Sequence, residues 1–290
     1  MRLFLLTALT MVAFAANSLL NRAALASGSI DAVGFGAIRL VSGAVALVVL
    51  VLLLRGNLRL GGPGRVLAIA GLFIYIFGFS AAYMSLDAGL GALILFGTTQ
   101  VTMFAGSLLG GERPPGRRWI GALIAFGGLA WLLWPGEDAQ ISAIHGFAML
   151  LGGVGWGLYS LAGRASRDPL ASTAANFVLT APLALAVVPF LPAQLEPVAM
   201  TGVGITLAVV SGAVTSGLGY ALWYSILPRL DGTVAAVAQL TVPVIAMAGG
   251  MILLGEVLTA RFAVAAILVL GGVALSVVRW PQLQIRSRGS

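Results

Sequence analysis

An all-α integral membrane fold, with ten transmembrane helices arranged as two five-helix repeats of inverted topology, is predicted by three features of this 290-residue sequence. Hydrophobic residues make up 60% of it and charged residues 9%, where a soluble domain carries about a quarter charged. Apolar runs long enough to cross a bilayer recur from end to end. A stretch of the first half also matches a stretch of the second without a gap.

Interruptions by charge, Gly or Pro divide the chain into spans at roughly 3–26, 31–54, 66–86, 89–111, 118–134, 143–163, 170–191, 198–226, 232–254 and 260–279. The breaks are dense in such residues, as at Arg55 to Arg65, Gly110 to Arg118, Pro135 to Asp138 and Arg164 to Pro169. Each span approaches the roughly 20 residues a helix needs for about 30 Å of hydrocarbon. Helices are expected over strands because the runs are continuous rather than alternating, and because a helix satisfies its own backbone in lipid.

An even number of spans puts both termini on one side. That side collects Arg2, Arg55, Arg59, Arg65, Arg113, Arg117, Arg118, Arg164, Arg167, Arg229, Arg279, Arg286 and Arg288; the other holds Arg22 and Arg261 with Asp31, Asp87, Glu137, Asp138, Glu196 and Glu256. The positive-inside rule makes both termini cytoplasmic. The first segment, with Arg2, an apolar stretch and small residues at Ala24 and Ala26, has the outline of a cleaved leader. Its counterpart later in the chain argues that it is retained as a span.

All sixteen basic residues are Arg and the net charge is +7, yet they sit singly or in small groups between apolar runs, which excludes a nucleic-acid surface. Cysteine is absent, which excludes disulfides, haem attachment and thiolate metal sites. No metal or other cofactor is expected. The partners expected are a small-molecule substrate and the lipid bilayer, and the sequence names no protein partner.

At a constant offset of 144, residues 87–130 and 231–274 share twelve identities, among them Asp87/Asp231, Gly106/Gly250, Gly111/Gly255, Glu112/Glu256, Arg117/Arg261, Gly127/Gly271 and Gly128/Gly272. Apolar composition alone would match Ala, Gly and Leu, but it would not align Asp, Glu and Arg at helix ends. At an offset of 142, Phe14-Ala-Ala-Asn17-Ser18-Leu19 faces Trp156-Gly-Leu-Tyr159-Ser160-Leu161, and Arg22 faces Arg164. The repeat unit is five helices, giving halves 1–135 and 136–290. Five is odd, so the halves enter the membrane from opposite faces. Such a pair can exchange conformations around one site near the midplane, as alternating access requires.

With the paired helix ends Leu109-Gly-Gly-Glu112 and Leu254-Gly-Glu256, the helices closing on Gly127-Gly128 and Gly271-Gly272, and Pro243 inside the ninth span, the chain resembles the drug/metabolite transporter superfamily in its EamA-like branch. The first half departs from the pattern, with Thr98-Thr99-Gln100 where the repeat would place a Pro. Within the superfamily the bacterial amino-acid exporters of the YddG type are the nearest likeness. That resemblance implies export of amino acids and related metabolites through a central cavity.

Polar groups inside hydrocarbon are costly and therefore candidate substrate contacts. Asn17 and its counterparts Trp156 and Tyr159 fall mid-span; Tyr75 and Tyr83 lie on the third span, Thr99 and Gln100 on the fourth, Tyr220, Trp223 and Tyr224 on the eighth, and Gln239 on the ninth. Amides and hydroxyls can hold an ammonium or a carboxylate without fixed charge, and aromatic faces attract cations, which suits a zwitterion. The same residues could bond their own helix backbones or form an interfacial belt. Gln239 lies one turn before Pro243, which frees a carbonyl there. Arg39, set within the second span, must snorkel, line water, or pair with a carboxylate, a substrate's included.

His145 is the one histidine, so no set of acids, nucleophile and His converges as an enzyme would need. Phosphorylated sugars would call for several inward cations and organic cations for an inward acid. Neutral or zwitterionic solutes fit the residues best, with amino acids favoured by the resemblance. A drug or organic-cation exporter of the same fold is the alternative, a non-transporting scaffold a remote one. Uniport and proton coupling both stay open.

Overall fold

The computed structural model describes residues 1–111, 113–134, 142–163, 166–187, 200–230 and 232–277. Among them the secondary structure is entirely helical: α1 (Arg2–Ala26), α2 (Ala32–Arg55), α3 (Arg65–Ala82), α4 (Ala88–Leu109), α5 (Gly116–Leu133), α6 (Ala143–Gly163), α7 (Pro169–Val187), α8 (Gly202–Val210), α9 (Gly219–Ile226), α10 (Gly232–Gln239), α11 (Thr241–Leu253) and α12 (Ala260–Val277). A π-helical segment, Ser211–Leu218, joins α8 to α9 without a break, and Leu227–Arg229 closes the run as a 3-10 turn.

Seven helices are long and apolar enough to cross a membrane: α1, α2, α3, α4, α6, α7 and the continuous Gly202–Arg229. The chain is a multi-pass membrane protein. α2 illustrates why the bundle needs lipid. It buries Leu40, Leu47 and Val51, yet Val45, Val49, Leu52 and Leu53 on its other faces are exposed and equally apolar. A helix with no polar side finds no favourable contact with water on any face.

Local signals set the helix ends. The Asp31 carboxylate accepts from Gly34 N–H at 2.7 Å to start α2, and Gly56 stops it in the left-handed region, φ 74°, donating its N–H to Leu52 O. The Thr201 hydroxyl accepts from Gly204 N–H to start α8. The third span is shorter than expected: α3 ends at Ala82 and residues 83–86 form the turn to α4. The ninth span is split, α10 stopping at Gln239 and α11 starting at Thr241. Pro243 has no N–H for the Gln239 carbonyl four residues back, and the chain breaks there.

Glycine sets the closest helix contacts. α3 and α6 touch backbone to backbone, since a Cβ on Gly71 would lie 2.7 Å from Gly155 O and one on Gly155 2.6 Å from Tyr75 N. α5 and α12 do the same: a Cβ on Gly272 would lie 2.6 Å from Gly121 O, and one on Gly121 would collide with Gly272 O. Of the paired glycines, Gly128 and Gly272 face the neighbouring helix, whereas a Cβ on Gly127 or Gly271 meets nothing within 4 Å. Gly272→Ala should therefore lower stability by about 1–3 kcal/mol through overpacking, and Gly271→Ala should leave it unchanged or slightly raised through helix propensity. Thermal unfolding in detergent compares the two; equal melting temperatures would mean the α5–α12 contact is not this close.

Ion pairs tie both ends of the bundle. At one end Arg22 reaches Asp87 (3.4 Å) and Glu256 (3.5 Å); at the other Arg55 meets Asp168 (3.0 Å), and Arg65 donates to Ser172 O (2.8 Å). Glu112, Glu137, Asp138, Arg164, Glu196, Asp231, Arg279, Arg286 and Arg288 lie outside the described residues.

Candidate functional site

A narrow cavity lies inside the bundle, lined by Phe14, Asn17 and Ser18 of α1, Tyr75 and Phe79 of α3, Leu95 and Phe96 of α4, Trp156 of α6, Thr215 of the π segment and Tyr220 of α9. Its walls are mostly aromatic. Trp156 lies 4.9 Å from Tyr75 and 5.2 Å from Tyr220, centroid to centroid, and Phe14 packs edge-on against Tyr220 at 5.7 Å. Large rings with little conformational freedom give the cavity a stiff wall suited to an apolar body.

One polar network forms its floor. Asn17 Oδ1 accepts from Ser211 Oγ (2.6 Å) and Thr215 Oγ1 (3.1 Å), and Asn17 Nδ2 donates to Tyr75 Oη (3.4 Å). One turn on, Asn21 donates to Asn17 O and to Ser211 Oγ, and accepts from Ser80 Oγ at 3.2 Å. The π segment presents Ser211 and Thr215 together to Asn17. Such wide turns recur at functional sites. The segment sits close against α2, because a Cβ on Gly212 would collide with Ser42 Oγ and Arg39 O.

Arg39 is fully buried one side chain behind this wall. Its Nε donates to Ser216 Oγ (3.0 Å) and its Nη2 to Tyr75 Oη (2.9 Å), while Cζ stands 5.1 Å from the ring centroids of both Tyr75 and Phe79. Nη1 is buried without a partner. Among the described residues no Asp or Glu lines the cavity or pairs with Arg39.

Of the residues singled out from sequence, Asn17, Trp156 and Tyr220 line the cavity, and Arg39 stands behind Tyr75. Tyr159 stacks on the far side of Trp156 at 5.4 Å and donates to Thr173 Oγ1; Trp223 is buried against Phe14. Thr99 donates to Leu95 O and Gly153 O, which fastens α4 to α6. Tyr83 is fully buried and donates to Ala88 O across the α3–α4 turn. Gln100 is half-buried on α4, and Gln239, half-buried at the α10–α11 break, donates to Ala235 O at 3.5 Å. His145, at the head of α6, shares a 2.8 Å bond with Ser142.

Ser211, Thr215, Ser216, Phe79 and Phe96 were not anticipated. The four-residue spacing of Asn17 with Asn21, Tyr75 with Phe79 and Ser211 with Thr215 is the available signal, since such pairs share a helix face. The π turn leaves no mark that sequence reading could use.

At the end of the bundle carrying Arg22, the Leu254-Gly-Glu256 motif acquires a physical meaning. Gly255 takes φ 68°, letting Glu256 N–H return to Gly250 O (3.1 Å). The Glu256 carboxylate then accepts the Ala88 N–H through both oxygens (2.9 and 3.0 Å) at the start of α4, beside Arg22. Burial pushes its pKa up, with Asp87 adding to this, against the opposing pull of the Ala88 N–H and Arg22.

Comparison with known proteins agrees with this architecture. Residues 144–278 match the EamA-like transporter family. A Pseudomonas aeruginosa protein named uncharacterized protein PA1977 is 48% identical over 94% of each chain. Two proteins named "Probable amino-acid metabolite efflux pump" are similar at lower identity: that of Salmonella typhimurium at 26% over 70% of this chain and 72% of its own, and that of Escherichia coli at 25% over 71% and 73%. A solved crystal structure superposes with a TM-score of 0.60 at 22% identity, covering 92% of this chain and 96% of that one, a likeness of fold alone. The family match over residues 144–278 and the all-helical membrane fold together give the chain an EamA-like transporter domain, and members of that family are transporters, not enzymes.

Proposed function

We propose that the protein is a secondary transporter of small neutral or zwitterionic metabolites, amino acids foremost, exporting them across a bacterial inner membrane by alternating access between halves 1–135 and 136–290. The observation that carries this reading is the central cavity, to which α1, α3 and α4 contribute from the first half and α6, the π segment and α9 from the second. An aromatic wall over amide and hydroxyl groups offers an apolar body and a polar head separate surroundings. The names of the Salmonella typhimurium and Escherichia coli relatives support amino-acid metabolites as the cargo.

The inverted repeat draws support from the packing. α4 contacts α11 and α5 contacts α12, each a helix beside its own sequence counterpart, and the α3–α6 contact is mirrored by that of α1 with the α8–π–α9 run. Alternating access around such an axis exchanges the two ends of the cavity. Arg22, Asp87 and Glu256 would close the outer end, both termini being cytoplasmic by the arginine bias.

Uptake of radiolabelled amino acids into proteoliposomes, with and without an imposed proton gradient, tests the function. Saturable uptake without a gradient is the expected result. Uptake only with one would bring a coupling group into the mechanism, and none from folded protein would overturn the amino-acid assignment.

A further inference from the structure

We propose that the cavity recognises its substrate by a carboxylate, with Arg39 supplying the charge and Tyr75 the contact, and that an α-amino group is dispensable: amphipathic monocarboxylates are substrates on a par with amino acids. The proposal rests on the transport reading above and narrows it.

The first ground is charge. Arg39 carries a guanidinium, is fully buried and has no carboxylate partner among the described residues. Two hydroxyls and two aromatic faces solvate it but leave it a net cation. An uncompensated charge in a low-dielectric interior is strongly unfavourable, and an incoming anion relieves it.

The second ground is the balance of donors and acceptors. Tyr75 Oη accepts from both Arg39 Nη2 and Asn17 Nδ2, so its lone pairs are used and its proton can pass to Tyr220 Oη or to a ligand, leaving the pair with a donor to spare. Tyr75 lines the cavity. Arg39 Nη1, also buried, has no hydrogen-bond partner among the described residues, and the Tyr220 hydroxyl has that of Tyr75 beside it. This end of the site therefore has donors to spare for a carboxylate, at charge-assisted strength through Arg39.

An ammonium finds the reverse. Asn17 Oδ1 already accepts from two hydroxyls, and no acid lines the cavity among the described residues. The Tyr75 and Phe79 faces, otherwise attractive to a cation, already border the Arg39 guanidinium, whose field repels a second one. Phe14, Phe96 and Trp156 remain for the apolar body.

Three ligands of one shape separate these requirements: phenylalanine, 3-phenylpropanoate, which lacks the amine, and 2-phenylethylamine, which lacks the carboxylate. Binding to the full-length protein in detergent is read by ligand-induced thermal shift and by fluorescence of the cavity-wall Trp156. The expected order puts 3-phenylpropanoate level with or above phenylalanine, with 2-phenylethylamine at least tenfold weaker than both. Arg39→Lys should retain carboxylate binding and Arg39→Gln should lose it at least tenfold. Tyr75→Phe keeps the ring contacts; it should weaken both carboxylates severalfold and leave the amine unchanged. Phenylalanine binding with the acid tenfold weaker, or the amine level with the acid, overturns the proposal and leaves the transport reading standing. No binding of any of the three by folded protein overturns both.

Discussion

Replacing Asn17 with leucine is expected to destabilise the protein by about 2–4 kcal/mol, because buried hydroxyls lose their acceptor, and to lower transport at least tenfold. Leucine is close to asparagine in size, so the effect is one of hydrogen bonding. Ser211 Oγ loses the acceptor of its 2.6 Å bond, and Tyr75 Oη loses one of its two donors; Thr215 keeps its bond to Ser211 O. The π segment is then held to α1 chiefly by Asn21, and Tyr75 Oη is left with Arg39 as its donor. Asn17→Asp separates fold from function. It keeps the acceptor for Ser211 and Thr215, so the melting temperature should stay near that of the wild type. Its charge sits at the Tyr75 hydroxyl that Arg39 also bonds and cancels the field that attracts an anion, so carboxylate binding should still fall tenfold or more. Full activity in both variants would remove Asn17 from the site.

The fold was legible because lipid imposes a coarse rule, that long apolar segments become self-satisfied helices, and α1, α2, α4 and α6 lie close to where the apolar runs place them. Two features followed rules of finer grain. The α10–α11 break was readable from Pro243, whose missing N–H acts on a known carbonyl. The π segment was not, because Ser211–Leu218 contains nothing that ordinary α-helix forbids, and its geometry answers to Arg39 and Ser42 across the contact with α2.

The site was legible to a similar depth. Composition singles out polar residues in hydrocarbon, and Asn17, Trp156, Tyr220 and Arg39 gather in one region on that basis alone. Which way a residue faces is a matter of packing. Thr99 sits on α4 beside cavity residues and Tyr83 just past the end of α3, yet their hydroxyls are spent on backbone carbonyls at helix contacts. Phe79 and Phe96 were passed over because an aromatic ring in a membrane span is commonplace until its neighbours are known.

Glu256→Ala is expected to cost about 2–3 kcal/mol, summing the loss of a helix-capping acceptor and of a mostly buried ion-pair partner. The sum is moderated because Arg22 keeps Asp87 and the carbonyls of Tyr83 and Met84. The carboxylate joins the α11–α12 turn to the start of α4, so its removal should also free that end of the bundle. A chain without cysteine makes this measurable: Glu256→Ala should speed labelling of a Ser18→Cys variant by a membrane-impermeant thiol reagent from the side of Arg22. The pH dependence gives a separate check. Burial raises the Glu256 pKa in the folded protein, so between the unfolded and folded values the native state holds a proton that the unfolded chain has released. The stability this contributes is fully present below the ordinary carboxylate range and is lost as pH rises through the folded pKa. The melting temperature of the wild type relative to Glu256→Gln should therefore fall from pH 4 toward pH 8; a difference that grows with pH would mean that Arg22 and the Ala88 N–H outweigh burial.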